Sequence, residues 1–120
     1  MILAMLMLIA APIECDGDLP QQMLNQCLAK DFAAADAELN KVWKPAYAEM
    51  QRMDRDTGEA GYAQALLVSQ RAWIAYRDAQ CVTEAQAMRG GSGEAMLLFG
   101  CKGRLTRERT MYLRGIVEGD

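Results

Sequence analysis

Cys81 and Cys101 lie ten residues either side of Gly91, inside the turn-forming run Gly90-Gly91-Ser92-Gly93. Glycine readily adopts the left-handed conformation that stops a helix, and serine can cap the helix that follows. If the flanking segments are helices folded back on each other at this turn, equal distances from it mean equal heights, and two inward-facing sulfurs meet. Four cysteines allow three pairings, and their spacing leaves the choice open in principle. The height argument favours Cys81 with Cys101, which leaves Cys15 with Cys27 to tie the N-terminal segment to the start of the first helix. An even cysteine count fits an oxidising compartment. Closing a loop of about twenty residues contributes about 3 kcal/mol, a useful supplement to a small core. A reactive or metal-bound thiolate would need a Cys-x-x-Cys spacing or a nearby histidine, and the chain has neither.

The flanking segments read as helices. From Pro20 to Met53 the apolar positions Leu24, Leu28, Phe32, Ala35, Leu39, Val42, Ala46, Met50 and Met53 advance by three or four residues, one stripe of a long amphipathic helix. Pro20 suits its first turn, whereas Pro45 should kink or interrupt it by clashing with the carbonyl four residues earlier. Asp54-Arg55-Asp56-Thr57-Gly58 reads as the next turn. A second helix should run from Glu59 to Arg89, with Tyr62, Leu66, Trp73 and Tyr76 inward, and a third from Glu94 to Val117, with Leu97, Cys101, Leu105, Tyr112 and Ile116 on its stripe. Gly100 and Gly103 should weaken the third helix locally. The expected fold is all-α, an elongated antiparallel bundle of three main helices stapled by disulfides.

The net charge of −3 argues against a nucleic-acid binder, which would show a broad basic surface. It hides a split: residues 1–59 carry ten acids against five bases, and residues 60–120 six acids against eight bases. Lys102, Arg104, Arg107, Arg109 and Arg114 make most of the second surplus, as a solvated helix face or as an anion-binding or partner face. Without histidine the commonest general base is missing, and no clustered carboxylates or phosphate loop replace it, so no catalytic residue, cofactor or metal is expected. The chain begins MILAMLMLIAAP, too short to span a bilayer as a helix and of the length of a signal-peptide core. Residues 1–13 read as a signal-peptide remnant or apolar leader, and residues 14–120 as a single helical domain. Cys15 follows Pro12-Ile13-Glu14 rather than small residues, so no lipid anchor is expected there.

The segments CDGDLPQQMLNQCLAKDFAAADAELNKVW, SQRAWIAYRDAQC, RGGSG and CKGRLTRERTMYLR resemble the successive blocks of the lysozyme inhibitor LprI N-terminal-domain family, over residues 15 to 114. The matching positions include Asn25, Asp36, Asn40, Gln70, Arg71, Trp73, Arg77, Asp78, Gly90, Gly91, Ser92 and Thr106, beside Cys27, Cys81 and Cys101. Pro20 and Leu24 depart from the family's usual threonine and methionine. The resemblance implies a helical, disulfide-bearing bacterial envelope protein in which these motif residues build the scaffold. The family's namesake is lipid-anchored; the lack of an attachment motif here points instead to a periplasmic or secreted protein. Inhibition of lysozyme by direct binding is the implied activity, with a structural or adaptor role toward another envelope protein or peptidoglycan as the alternative. An acidic inhibitor would be steered toward a basic lysozyme, and the contact face would then use exposed acids such as Asp31, Glu38, Asp54, Asp56 and Glu59.

Overall fold

The computed structural model describes residues 13–119, so the apolar leader, Ile13 apart, lies outside the described residues. Helices α1 (Gln21–Thr57), α2 (Tyr62–Ala85) and α3 (Glu94–Glu118) run up, down and up, and a 3-10 turn, Gln86–Met88, extends α2. Among the described residues there is no strand. At 1.5 Å per residue, the 37 residues of α1 span about 55 Å. The molecule's long axis measures 54 Å, so one helix sets its full length. Each helix is antiparallel to the next in sequence, which leaves α1 and α3 parallel, and this pair packs more extensively than either does with α2.

Both disulfides form with the expected partners, Cys15 with Cys27 and Cys81 with Cys101, the latter pair with Cα atoms 5.4 Å apart. Asn25 closes the same end of the bundle. Its amide donates to the Ser92 carbonyl at 2.8 Å and accepts from Gln21 at 2.7 Å, which ties the start of α1 to the α2–α3 turn. Ser92 takes part through its backbone. No side chain caps α3 at its Gly93 N-cap; Glu94 reaches back to the amide of Gly90 instead.

In α1 the interruption that Pro45 could have caused is not found, and the turn expected at Asp54 begins later. The helix passes through Pro45 without a break. Pro45 and Lys41 are both exposed, so water can donate to the Lys41 carbonyl that Pro45 has no N–H to bond, while the adjacent Val42 and Ala46 are buried in the core. Asp54 to Thr57 form the last helical turn, not a loop, and the helix ends only where Gly58 supplies a φ of 68°. The connection is thus shorter, and α2 begins at Tyr62 rather than Glu59.

That shift gives Asp54 a structural task. Its carboxylate accepts from the amides of Tyr62, at 2.8 Å, and Ala63, at 3.3 Å, capping α2 from the neighbouring helix where Gly61 has no side chain to do so. Asp54→Ala is expected to cost about 1 kcal/mol, the usual value of an N-cap. Thermal unfolding should show a lower Tm with unchanged helix content, and Asp54→Asn, which keeps an acceptor, should lose clearly less.

Leu39, Val42, Ala46, Leu66 and Leu113 form the core, with Trp43, Met50, Trp73 and Ile116 packed against it. Tyr76 and Tyr112, expected inward, are each 56% exposed. The α2 face that turns inward is instead Ala63, Leu66, Gln70, Arg77, Cys81 and Ala85, and on α3 it is Cys101, Gly103, Thr106, Thr110 and Leu113. Threonine is tolerated at the centre because Thr110 Oγ1 donates to the Thr106 carbonyl at 2.9 Å, a local satisfaction that no hydrophobic count registers.

Candidate functional site

Trp73, Arg77 and Asp78 of the QRAWIAYRD stretch meet at a buried guanidinium. The Arg77 side chain is only 10% exposed and lies between the rings of Phe32 and Trp73, its central carbon 5.1 and 5.2 Å from their centroids. Its Nε donates to Asp78 at 3.0 Å, and Nη1 lies 3.4 Å from both Asp36 Oδ1 and Thr106 Oγ1. Lys102 adds a contact to Asp78 at 3.8 Å and approaches the Phe32 ring. Asp36 from α1, Trp73, Arg77 and Asp78 from α2, and Thr106 from α3 therefore form one polar hub. Among the described residues no buried side-chain polar atom lacks a partner. A cation held between rings and opposed by two carboxylates fixes three helices in register.

The basic residues of α3 are occupied in the same way. Arg107 pairs with Asp31, and Arg114 with Glu38. These two bridges lie one heptad apart on both helices, a repeating ladder between parallel neighbours. Gly103 is not a weak point but part of this ladder, since a Cβ there would stand 3.3 Å from both Asp31 Oδ2 and Arg107 Nη1. Arg104 bonds Glu84 at 3.0 Å beside the Cys81–Cys101 disulfide, and together with Gln80 it holds the Glu84 carboxyl below the ordinary carboxylate range. Arg109 donates to Gln70 at 2.8 Å and to Ser69 at 2.9 Å, against the rings of Trp73 and Tyr112; burial pulls its guanidinium below its usual value. The split of charge along the sequence is thus largely complementarity within the fold, and it leaves no ready-made anion-binding face on α3.

Of the five acids expected on a contact face, three are built into the scaffold. Asp31 is buried, not exposed, at 6% of its surface. Glu38 is half-buried against Arg114, and Asp54 caps α2. Asp56 and Glu59 remain exposed at the α1–α2 end, where Asp56 meets Arg52 at 2.6 Å. Among the motif residues, Asn40 and Arg71 are also exposed and form no side-chain hydrogen bond among the described residues. A groove of about 240 Å³ that the sequence did not suggest lies between α1 and α3, lined by the apolar Val42, Pro45 and Val117 and by the charged Glu38, Lys41 and Arg114. Its one signal in the sequence is the proline inside a helical stripe. Among the described residues no group of carboxylates or thiols is close enough to hold a metal ion, and no helix is long and apolar enough to cross a membrane.

The hub, the ladder and the paired disulfides occupy the same span as a known family profile, Lysozyme inhibitor LprI, which matches residues 15–113. The chain belongs to this family. An uncharacterized protein of Rhizobium meliloti (strain 1021) is 44% identical over 110 residues, covering 88% of this chain and 79% of that protein. The uncharacterized protein YecT of Escherichia coli (strain K12) is 33% identical over 70 residues, 55% of this chain and 43% of its own length. No solved structure matches. In this chain the motif positions Asp36, Trp73, Arg77, Asp78 and Thr106 come together in one contact between the three helices.

Proposed function

We propose that the protein is a non-enzymatic, periplasmic or secreted binding protein of the bacterial envelope that inhibits lysozyme by direct contact. The observation that carries this reading is the family match over residues 15–113. The geometry supports it in sign. Arg104, Arg107 and Arg114 of α3 pair with acids of the fold. At the α1–α2 end the acids Glu49, Asp54, Asp56 and Glu59 outnumber the bases Arg52 and Arg55, even though Asp56 is paired with Arg52, so the balance of charge there is acidic and suits a basic lysozyme. An adaptor role toward another envelope protein or peptidoglycan is the second reading, favoured by the exposed apolar side chains of α2, Val68, Ile74, Tyr76 and Val82.

Titrating the oxidised domain into a basic lysozyme, with heat of binding and muramidase activity followed together, tests the first reading. Binding with loss of activity is expected, weaker at physiological than at low salt because exposed charges are screened. The double variant Asp56→Asn with Glu59→Gln should bind several-fold more weakly at low salt, chiefly through slower association, with an unchanged Tm. Absence of binding at both salt concentrations would remove this lysozyme as the target.

A further inference from the structure

We propose that the outward face of α2 is a self-complementary surface through which two copies of the chain pair, antiparallel, about a two-fold axis at Ala75. The inward face of α2 is buried against α1 and α3. Half a turn away, Ala65, Val68, Ala72, Ala75, Ala79 and Val82 advance by alternating steps of three and four, the period of a seam between two helices, and all six are exposed. Val68 and Val82 are 54% and 52% exposed. A helix on the outside of a bundle ordinarily turns charged and polar residues to solvent along this line, whereas these six positions carry none, and the polar Gln64 and Thr83 beside the two ends of the seam are uncharged.

The arrangement is specific to a second copy because it repeats itself in reverse. Val68 and Val82 lie seven residues either side of Ala75, and Ala72 and Ala79 three and four. In an antiparallel pair centred on Ala75, each valine therefore meets the other valine of the neighbouring copy, and the alanines between them let the two helices approach to about 8 Å. The charges beside the seam obey the same symmetry. Arg71 and Asp78 stand four and three residues either side of Ala75, and at 100° per residue both fall on the same flank. A two-fold axis perpendicular to the helices sets like flanks against each other, so Arg71 of each copy lies opposite Asp78 of the other, giving two equivalent ion pairs. Arg71 is free to do this, being exposed and without an ion pair among the described residues. Asp78 is 49% exposed, and its bonds to Arg77 and Lys102 both fall on Oδ1, leaving Oδ2 uncommitted. A single helical seam of about 25 Å is small among specific interfaces, so association depends on concentration.

Sedimentation equilibrium on the oxidised domain, over about a hundredfold range of concentration, tests this. The mass is expected to rise from that of a monomer toward that of a dimer. Ala75→Glu, which sets two carboxylates against each other at the axis, should remain monomeric throughout with unchanged circular dichroism and Tm, and Arg71→Glu should weaken the dimer. Ala75→Cys, whose thiol meets its own copy on the axis, should form an intermolecular disulfide under mild oxidation, whereas Val68→Cys, placed seven residues from the axis, should not. A wild-type chain that stays monomeric at the highest concentration would overturn the proposal. So would a dimer that Ala75→Glu leaves intact, since another face would then hold it.

Discussion

Converting Cys81 and Cys101 together to serine is expected to lower the unfolding free energy by about 3 kcal/mol, while the same change at Cys15 and Cys27 costs much less. Loop entropy alone does not produce that contrast. The two bridges close sequence separations of 20 and 12 residues, and the logarithm makes those nearly equal. The difference lies in what each loop holds. Cys81 and Cys101 are 0% and 3% exposed, join α2 to α3, and enclose the Gly90–Gly93 turn whose glycines carry a large conformational freedom in the unfolded chain. Cys15 and Cys27 are only half-buried and tie down a terminal segment with no residue in the core. When that segment is released it can fray while the three helices stay packed. Urea unfolding of the two double variants and the wild-type chain, with the slope of the transition checked for constancy, measures the difference. Equal losses would show that the N-terminal segment unfolds only with the whole.

Much of this organisation was legible in the chain because it follows from spacing. The apolar stripe of α1 and the symmetry of Cys81 and Cys101 about Gly91 depend only on helical period and on equal heights across a turn. What spacing does not show is which of two candidate faces turns inward. Along α2 the apolar residues are spread around the helix, so Tyr76 looked like core by type, whereas Gln70 and Arg77, polar by type, are buried. Their burial depends on partners from other helices: Arg109 for Gln70; Asp36, Thr106 and Phe32 for Arg77. The acids of the expected contact face divide for the same reason. Asp31 and Glu38 sit one heptad apart on α1, and so do Arg107 and Arg114 on α3. The two ladders become visible as one only once α1 and α3 are known to be parallel neighbours. Asp54 was placed in a turn because the run Asp-Arg-Asp-Thr-Gly has turn composition; the helix in fact uses it up to the glycine, and the carboxylate then falls within reach of the start of α2.

The Asp31–Arg107 pair should respond unequally to loss of its two members, with Arg107→Met costing about 3 kcal/mol and Asp31→Asn about 1 kcal/mol. The carboxylate side chain is 9% exposed and the guanidinium 37%. Removing the carboxylate charge leaves a guanidinium already partly in water, which can complete its hydration by a small movement of a flexible side chain. Removing the guanidinium strands a buried carboxylate, and water cannot easily replace it because Gly103 and the parallel α1–α3 contact close the space. Arg107→Lys should fall between the two, since it keeps the charge but loses the planar fork. The double variant Asp31→Asn with Arg107→Met removes both charges and should recover most of the loss of Arg107→Met, which a thermodynamic cycle on the four proteins would read directly. Equal single losses would mean that the bridge acts as a solvated surface pair, and the ladder would then no longer account for how tightly α1 and α3 are held together.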